Sequence, residues 1–331
     1  MASTVGALLA QDPTNSVQNT GYTSSTNKAW TEGYHPIKNM TVHTKACGDG
    51  LTYANFETAF LPLYDDDRVR MGTAAFPPNG RSWRMGSEAD VELWFHTEIS
   101  NVVLAAWNHH PTVVQTSHSK PPSEKNMPEE VDATYSFKSN QHRVALVIGE
   151  MKRNLVDADK WQCGRIPSSG PQDRLSRELR GYVRFHASTG VKPTPIRYAH
   201  KYECPQVFCF DGDTLLLLQF RANSRAELKH ERCPVDCWVL PRENSGTPLR
   251  YALYRLLAQG FRRFQGGVAL DGFSSDLRQF YNGRPLWTLG DVATSQHPNG
   301  YARSVHVATG AFMWTHPSGT DPIWETGSIW G

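Results

Sequence analysis

Asp132, Glu150 and Lys152 are the residues whose types and spacing could do hydrolytic chemistry. Glu150 and Lys152 lie two apart, so on an extended strand both side chains leave the same face. Asp132 sits fewer than twenty residues earlier, at the outer end of a run that can fold back beside them. Two carboxylates converging at the end of a sheet form a hard-oxygen site suited to Mg²⁺, or to Mn²⁺, with several waters retained. A lysine beside them can hold a phosphate or orient an attacking water, and a bound metal makes that water a better nucleophile.

The elements that must position this trio are two strands. Val131 to Phe137 and Arg143 to Ile148 are rich in β-branched and aromatic residues, and the polar stretch Lys138 to His142 separates them. That pattern predicts a hairpin. Val144 to Ile148 is apolar at every position, which predicts a strand buried on both faces. Antiparallel pairing then brings Asp132 beside Glu150.

Asp132 followed by Glu150-Met151-Lys152 resembles the D…E-x-K signature of the PD-(D/E)XK, restriction-endonuclease-like nucleases, with Val131 where the family has a leading Pro. The resemblance implies that Asp132 and Glu150 ligate the metal, that the backbone carbonyl of Met151 assists, and that Lys152 helps the nucleophile. It covers Ser87 to Phe220 at the level of element order and motif. It is closest to nuclease-like domains of fungal proteins, in which an E-x-K strand precedes a Leu-rich helix and an Asp-Gly hairpin.

Before the hairpin, Ser87-Glu88-Ala89-Asp90 opens a helix that nothing interrupts until Pro111, with Ser87 as cap. Val91, Trp94, Glu98, Val102 and Ala105 fall on one stripe at helical spacing. A carboxylate in an apolar line needs a partner or a metal. The family often presents a Glu from this helix to the active site, and the resemblance assigns that place to Glu98.

A second helix is expected from Pro171 to about Ala187, with Pro in its first turn. Leu175, Leu179, Tyr182 and His186 form one face. Arg177, Arg180 and Arg184 form another, a stripe that could contact phosphates or simply face solvent. The family's basic or Gln position on this helix adds Gln172 and Arg174 as phosphate contacts. Asp211-Gly212-Asp213 between Val207–Phe210 and Thr214–Phe220 predicts another hairpin, and Pro248 to Phe264 a further helix.

Other groupings read more plainly. Asp65-Asp66-Asp67 is expected to be a solvated turn or helix end, and His109, His110 and His118 exposed loop residues. Cys204, Cys209, His230, Cys233 and Cys237 fit no zinc ribbon or finger, and the thiols are expected as core fillers. Trp287, Trp314, Trp324 and Trp330 are expected to anchor an irregular tail, although tryptophans can also stack on unpaired bases.

The chain has 331 residues, 39% of them hydrophobic, and a net charge of +2. A nucleic-acid surface must therefore be local. No apolar run reaches membrane-span length, and the N-terminus makes a poor secretion signal, so an intracellular protein, nuclear or cytoplasmic, is expected. The expected fold class is α/β. A restriction-endonuclease-like core of mixed sheet and flanking helices (residues 41–265) lies between an irregular N-terminal arm (1–40) and a C-terminal extension (266–331). Two functions fit: a metal-dependent nuclease, with DNA favoured over RNA, or an inactive nuclease-fold module that binds nucleic acid or protein.

Overall fold

The computed structural model describes residues 2–26, 28–61, 63, 65–108, 112–119, 130–139, 142–182, 204–221 and 230–268, with short pieces between 288 and 324. Seven strands form one mixed sheet: β1 (Met40–Val42), β2 (Val114–Ser119), β3 (Val131–Ser139), β4 (His142–Met151), β5 (Gln206–Phe210), β6 (Thr214–Phe220) and β7 (Val235–Pro241). Their order across the sheet is β1-β7-β6-β5-β4-β3-β2. The pairs β1/β7 and β4/β5 are parallel, and the remaining pairs antiparallel.

Helix α1 comprises Glu88–Phe95, a π turn at His96–Ser100 and Asn101–Ala105. Helix α2 spans Pro171–Tyr182 and α3 Leu249–Val268. Ser87 and Asp90 make the full capping box that the sequence calls for. The central strands read as unbroken apolar runs because both faces are covered. Phe208, Phe210, Leu215 and Leu217 point to α1 and α3, where Trp94 stacks on Phe210 and Phe95 on Phe208. Val207, Cys209, Leu216 and Leu218 point the other way, to Leu175, Leu179 and Tyr182 of α2. The Asp-Gly hairpin joins β5 to β6 with Gly212 at φ +95°, the left-handed region a tight turn assigns to glycine.

The first forty residues are built into this body. Val5, Leu8 and Leu9 lie in the α1/α3 core. Ser16–Asn19 pairs in parallel with Ser82–Met85, and β1 extends the sheet beside β7. The triple Asp is a helix end, as expected, but not a wholly solvated one. It starts a helix, Asp65–Met71, and Asp67 is buried with Arg70 at 3.2 Å, Arg262 at 2.7 Å and Tyr254 at 2.7 Å. A carboxylate that neutralises two buried guanidiniums stays inside. Cys204, Cys209, Cys233 and Cys237 are buried free thiols. His109, His110, Arg184, Trp287 and Trp330 lie outside the described residues, as does most of 266–331.

Candidate active site

A bulge decides which residue faces Glu150. Between β3 and β4 the register runs Ala145 opposite Ser136, then Val147 opposite Tyr135, so Leu146 is the extra residue. Beyond it Gly149 lies opposite Ala133, which makes Glu150 and Asp132 the next facing pair. Were Leu146 paired in regular register instead of bulged, Glu150 would face Val131. Bulges beside functional sites often re-aim a side chain in this way. Gly149 is needed for a second reason: a Cβ there would come 2.1 Å from the Phe208 ring. The ring therefore lies directly on the strand one residue before Glu150.

Asp132 Oδ2 accepts the backbone N–H of Met151 at 2.6 Å. Burial and the negative charge of Glu150 push the Asp132 carboxyl up to about 8, although that hydrogen bond, Lys152 and Lys28 work against the shift. Glu150 Oε1 accepts a short hydrogen bond from the Lys152 ammonium. Burial alone would raise Glu150, but the charges of Lys152 and Lys28 outweigh it and hold the carboxylate below its ordinary range. Lys152 is itself buried, its side chain only 3% exposed, and burial opposes its charge; Glu150 and Glu178 more than compensate and raise it.

Two residues missing from the sequence reading complete the cluster. Glu178 of α2 is fully buried and lies 3.4 Å from Lys152 and 2.7 Å from Lys28. Burial and Glu150 raise its carboxyl above the ordinary range, and Tyr182 donates its hydroxyl to it at 3.0 Å. Lys28 enters from the N-terminal segment, 3.3 Å from Glu150 and 3.2 Å from the Tyr182 hydroxyl. Glu178 lies between Leu175 and Tyr182 on the apolar side of α2, the same buried-acid signal that singles out Glu98 on α1. No pattern in residues 1–40 marks Lys28.

Glu98 is buried, but its partners lie elsewhere. It accepts from Asn15 at 2.7 Å and from the Trp83 indole at 2.8 Å, and Arg250 stands 3.9 Å away. The α1 carboxylate that reaches toward Asp132 is Glu92. Its Oε2 is 3.1 Å from His118, and the other nitrogen of that ring is 3.8 Å from Asp132. Glu92 and Glu98 are six positions apart, which turns them to different sides of a helix. His118 is exposed, as expected, but it lies within β2, in the left-handed region at φ 47°.

The arginine stripe also differs from expectation. Arg180 is buried, and burial lowers its pKa; it donates to the His230 carbonyl at 2.9 Å. Arg177 is held by Asp173 at 2.8 Å and by the Tyr34 carbonyl at 3.0 Å. Gln172 accepts from the Trp161 indole at 2.7 Å and donates to the Leu155 carbonyl at 2.6 Å, so it locks the loop after β4. Arg174 is exposed, 3.4 Å from Thr26. This face of α2 docks the N-terminal segment and the loop before β7, which removes Arg180 from any phosphate surface. Arg180→Ala is expected to cost about 1–3 kcal/mol of stability, measured by denaturant melts, and to leave the salt dependence of polyanion binding unchanged.

Among the described residues no helix is long and apolar enough to cross a membrane, and no cluster of three or more His, Cys, Asp or Glu side chains is arranged around one metal position. Comparison of the chain with models of protein families, with curated proteins and with solved structures finds no match.

Proposed function

We propose that this protein is a divalent-metal-dependent phosphodiesterase that hydrolyses nucleic acid, DNA in preference to RNA, in the nucleus or cytoplasm. The observation that carries this reading is the pairing of Asp132 with Glu150 across β3 and β4, with Lys152 bonded to Glu150. The element order agrees with it: helix, three antiparallel strands, helix, then a strand parallel to the one that carries E-x-K. That is the order expected of a restriction-endonuclease-like core.

The donor set fits Mg²⁺ or Mn²⁺. Asp132 and Glu150 are hard oxygen donors, to which the Met151 carbonyl can add a third. Glu150 Oε2 is buried without a hydrogen-bond partner among the described residues, and the Asp132 proton held by burial and by its neighbour's charge is one a cation would displace. Such an ion supplies Lewis acidity toward a phosphate oxygen and a more acidic water. The chain's own part is to fix Asp132 through the Met151 N–H, to keep Glu150 ionised, and to hold the Lys152 ammonium where it can orient a nucleophile.

Titration of the purified protein with Mg²⁺ or Mn²⁺ is expected to raise its melting temperature, by about 2.7 kcal/mol of added stability at a hundredfold excess over Kd. Single- and double-stranded DNA and RNA should then be tested for cleavage. Glu150→Gln is expected to abolish both cleavage and metal-induced stabilisation. Cleavage at the wild-type rate in that variant would place the active site elsewhere.

A second reading has its own support. Lys28 and Lys152 already neutralise Glu150 and Glu178 in the absence of metal, so the same fold can stand as a binding module without catalysis. Cation titration that leaves the melting temperature unchanged would favour it.

A further inference from the structure

Lys152 is sealed among Glu150, Glu178 and the sheet, and a phosphate arriving from solvent meets a different cation first. Lys28 touches the same two carboxylates and the Tyr182 hydroxyl, yet its side chain is 39% exposed. Two anchors deliver it there. On one side Ser24 exchanges hydrogen bonds with Arg153, its N–H to the Arg153 carbonyl at 2.9 Å and the Arg153 N–H to its hydroxyl at 2.8 Å. On the other, Trp30 packs on Tyr182 at 5.6 Å between ring centroids and lies so close to α2 that a Cβ on Gly181 would meet its ring at 2.4 Å. The lysine is thus part of the fold, held at the solvent side of the Glu150–Glu178 pair.

We infer that Lys28 is a substrate-contacting residue of this site: its ammonium binds a backbone phosphate of the polynucleotide, and Glu178 and Tyr182 position it. This rests on the phosphodiesterase reading. The charge count supports it. Two ammoniums face two buried carboxylates, so the cluster tolerates a polyanion only if one cation can turn outward, and Lys28 is the one with solvent beside it. Lys152 then remains with Glu150 for the chemistry, a division of labour between a buried and an exposed lysine.

The test uses the full chain with Ca²⁺ replacing Mg²⁺, to suppress cleavage, and fluorescein-labelled single-stranded and duplex DNA oligonucleotides. Binding is measured by anisotropy from low to high salt for wild type, Lys28→Gln and Lys28→Arg, after melting curves show each variant folded. Lys28→Gln is expected to weaken binding about tenfold. It should also flatten the plot of log affinity against log salt by about 0.9 on duplex, or about 0.7 on single strands. Lys28→Arg, which keeps the charge, should keep the slope. A residue that only braces the N-terminal segment would lower the melting temperature and leave the slope unchanged, and that result overturns the assignment while the parent reading stands. Wild-type protein that binds neither oligonucleotide overturns the phosphodiesterase reading and this assignment with it.

Discussion

Lys152→Ala is expected to destabilise the protein by about 3–5 kcal/mol, enough to lower its melting temperature by many degrees. A solvated lysine at a strand end is replaced at little cost, but this one is 2% exposed and is bonded to Glu150 and near Glu178. Its removal leaves two buried carboxylates with Lys28 as the remaining ammonium. Because the folded state raises the Lys152 pKa, its contribution is complete below the unfolded lysine value and is lost only as pH rises through the higher folded one. At neutral pH the whole penalty applies. Chemical denaturation at pH 7 measures it, and a variant as stable as wild type would show that the cluster does not depend on this charge. Loss of cleavage in Lys152→Ala would therefore report on folding as well as on chemistry, and Lys152→Arg, which keeps the charge, separates the two.

Asp132→Asn is expected to act in the opposite direction. With its carboxyl pushed up to about 8 in the folded protein against about 3.9 unfolded, the native state holds a proton that the unfolded chain has released. The stability linked to that proton is complete below the unfolded pKa and is lost as pH rises through about 8. The slope is at most about 1.4 kcal/mol per pH unit. The amide keeps an oxygen to accept the Met151 N–H but cannot ionise. Metal-free Asp132→Asn should therefore match wild type near pH 4 and exceed it increasingly toward pH 8. Melting curves across that range test it; parallel curves would mean that Asp132 ionises freely. Added Mg²⁺ should stabilise the wild type and not the variant, since the variant lacks one carboxylate donor.

The hairpin carrying Asp132 and Glu150 was legible because its two apolar runs and polar centre leave few alternatives, and the Asp-Gly hairpin and the Ser87 cap were legible for similarly local reasons. The pairing of Asp132 with Glu150 followed from simple antiparallel geometry, but it depends on an extra residue at Leu146 that nothing in the sequence announces. Glu98 shows the limit of a periodicity argument. It is buried as the stripe requires, yet whether a buried acid meets a metal, an indole or an arginine is settled by tertiary neighbours. The arginines of α2 went astray for the same reason, because a charge stripe looks alike whether it faces water or docks a distant segment. Lys28 was beyond reach altogether: it meets Glu150 across 122 residues of sequence, and the polar stretch around it has no periodicity to read.

The placement of β1 has a consequence for how this molecule comes into being. Residues near the start of the chain complete the sheet by pairing with its last strand; Met40 lies opposite Val235, 195 positions on. The same early segment supplies Lys28. A polypeptide emerging from the ribosome must therefore leave β1 unpaired until β7 has been made, and such long-range closure is slow as well as late. No nascent fragment that ends short of β7 can hold the completed sheet, whereas Lys28 finds its partners earlier, on β4 and α2.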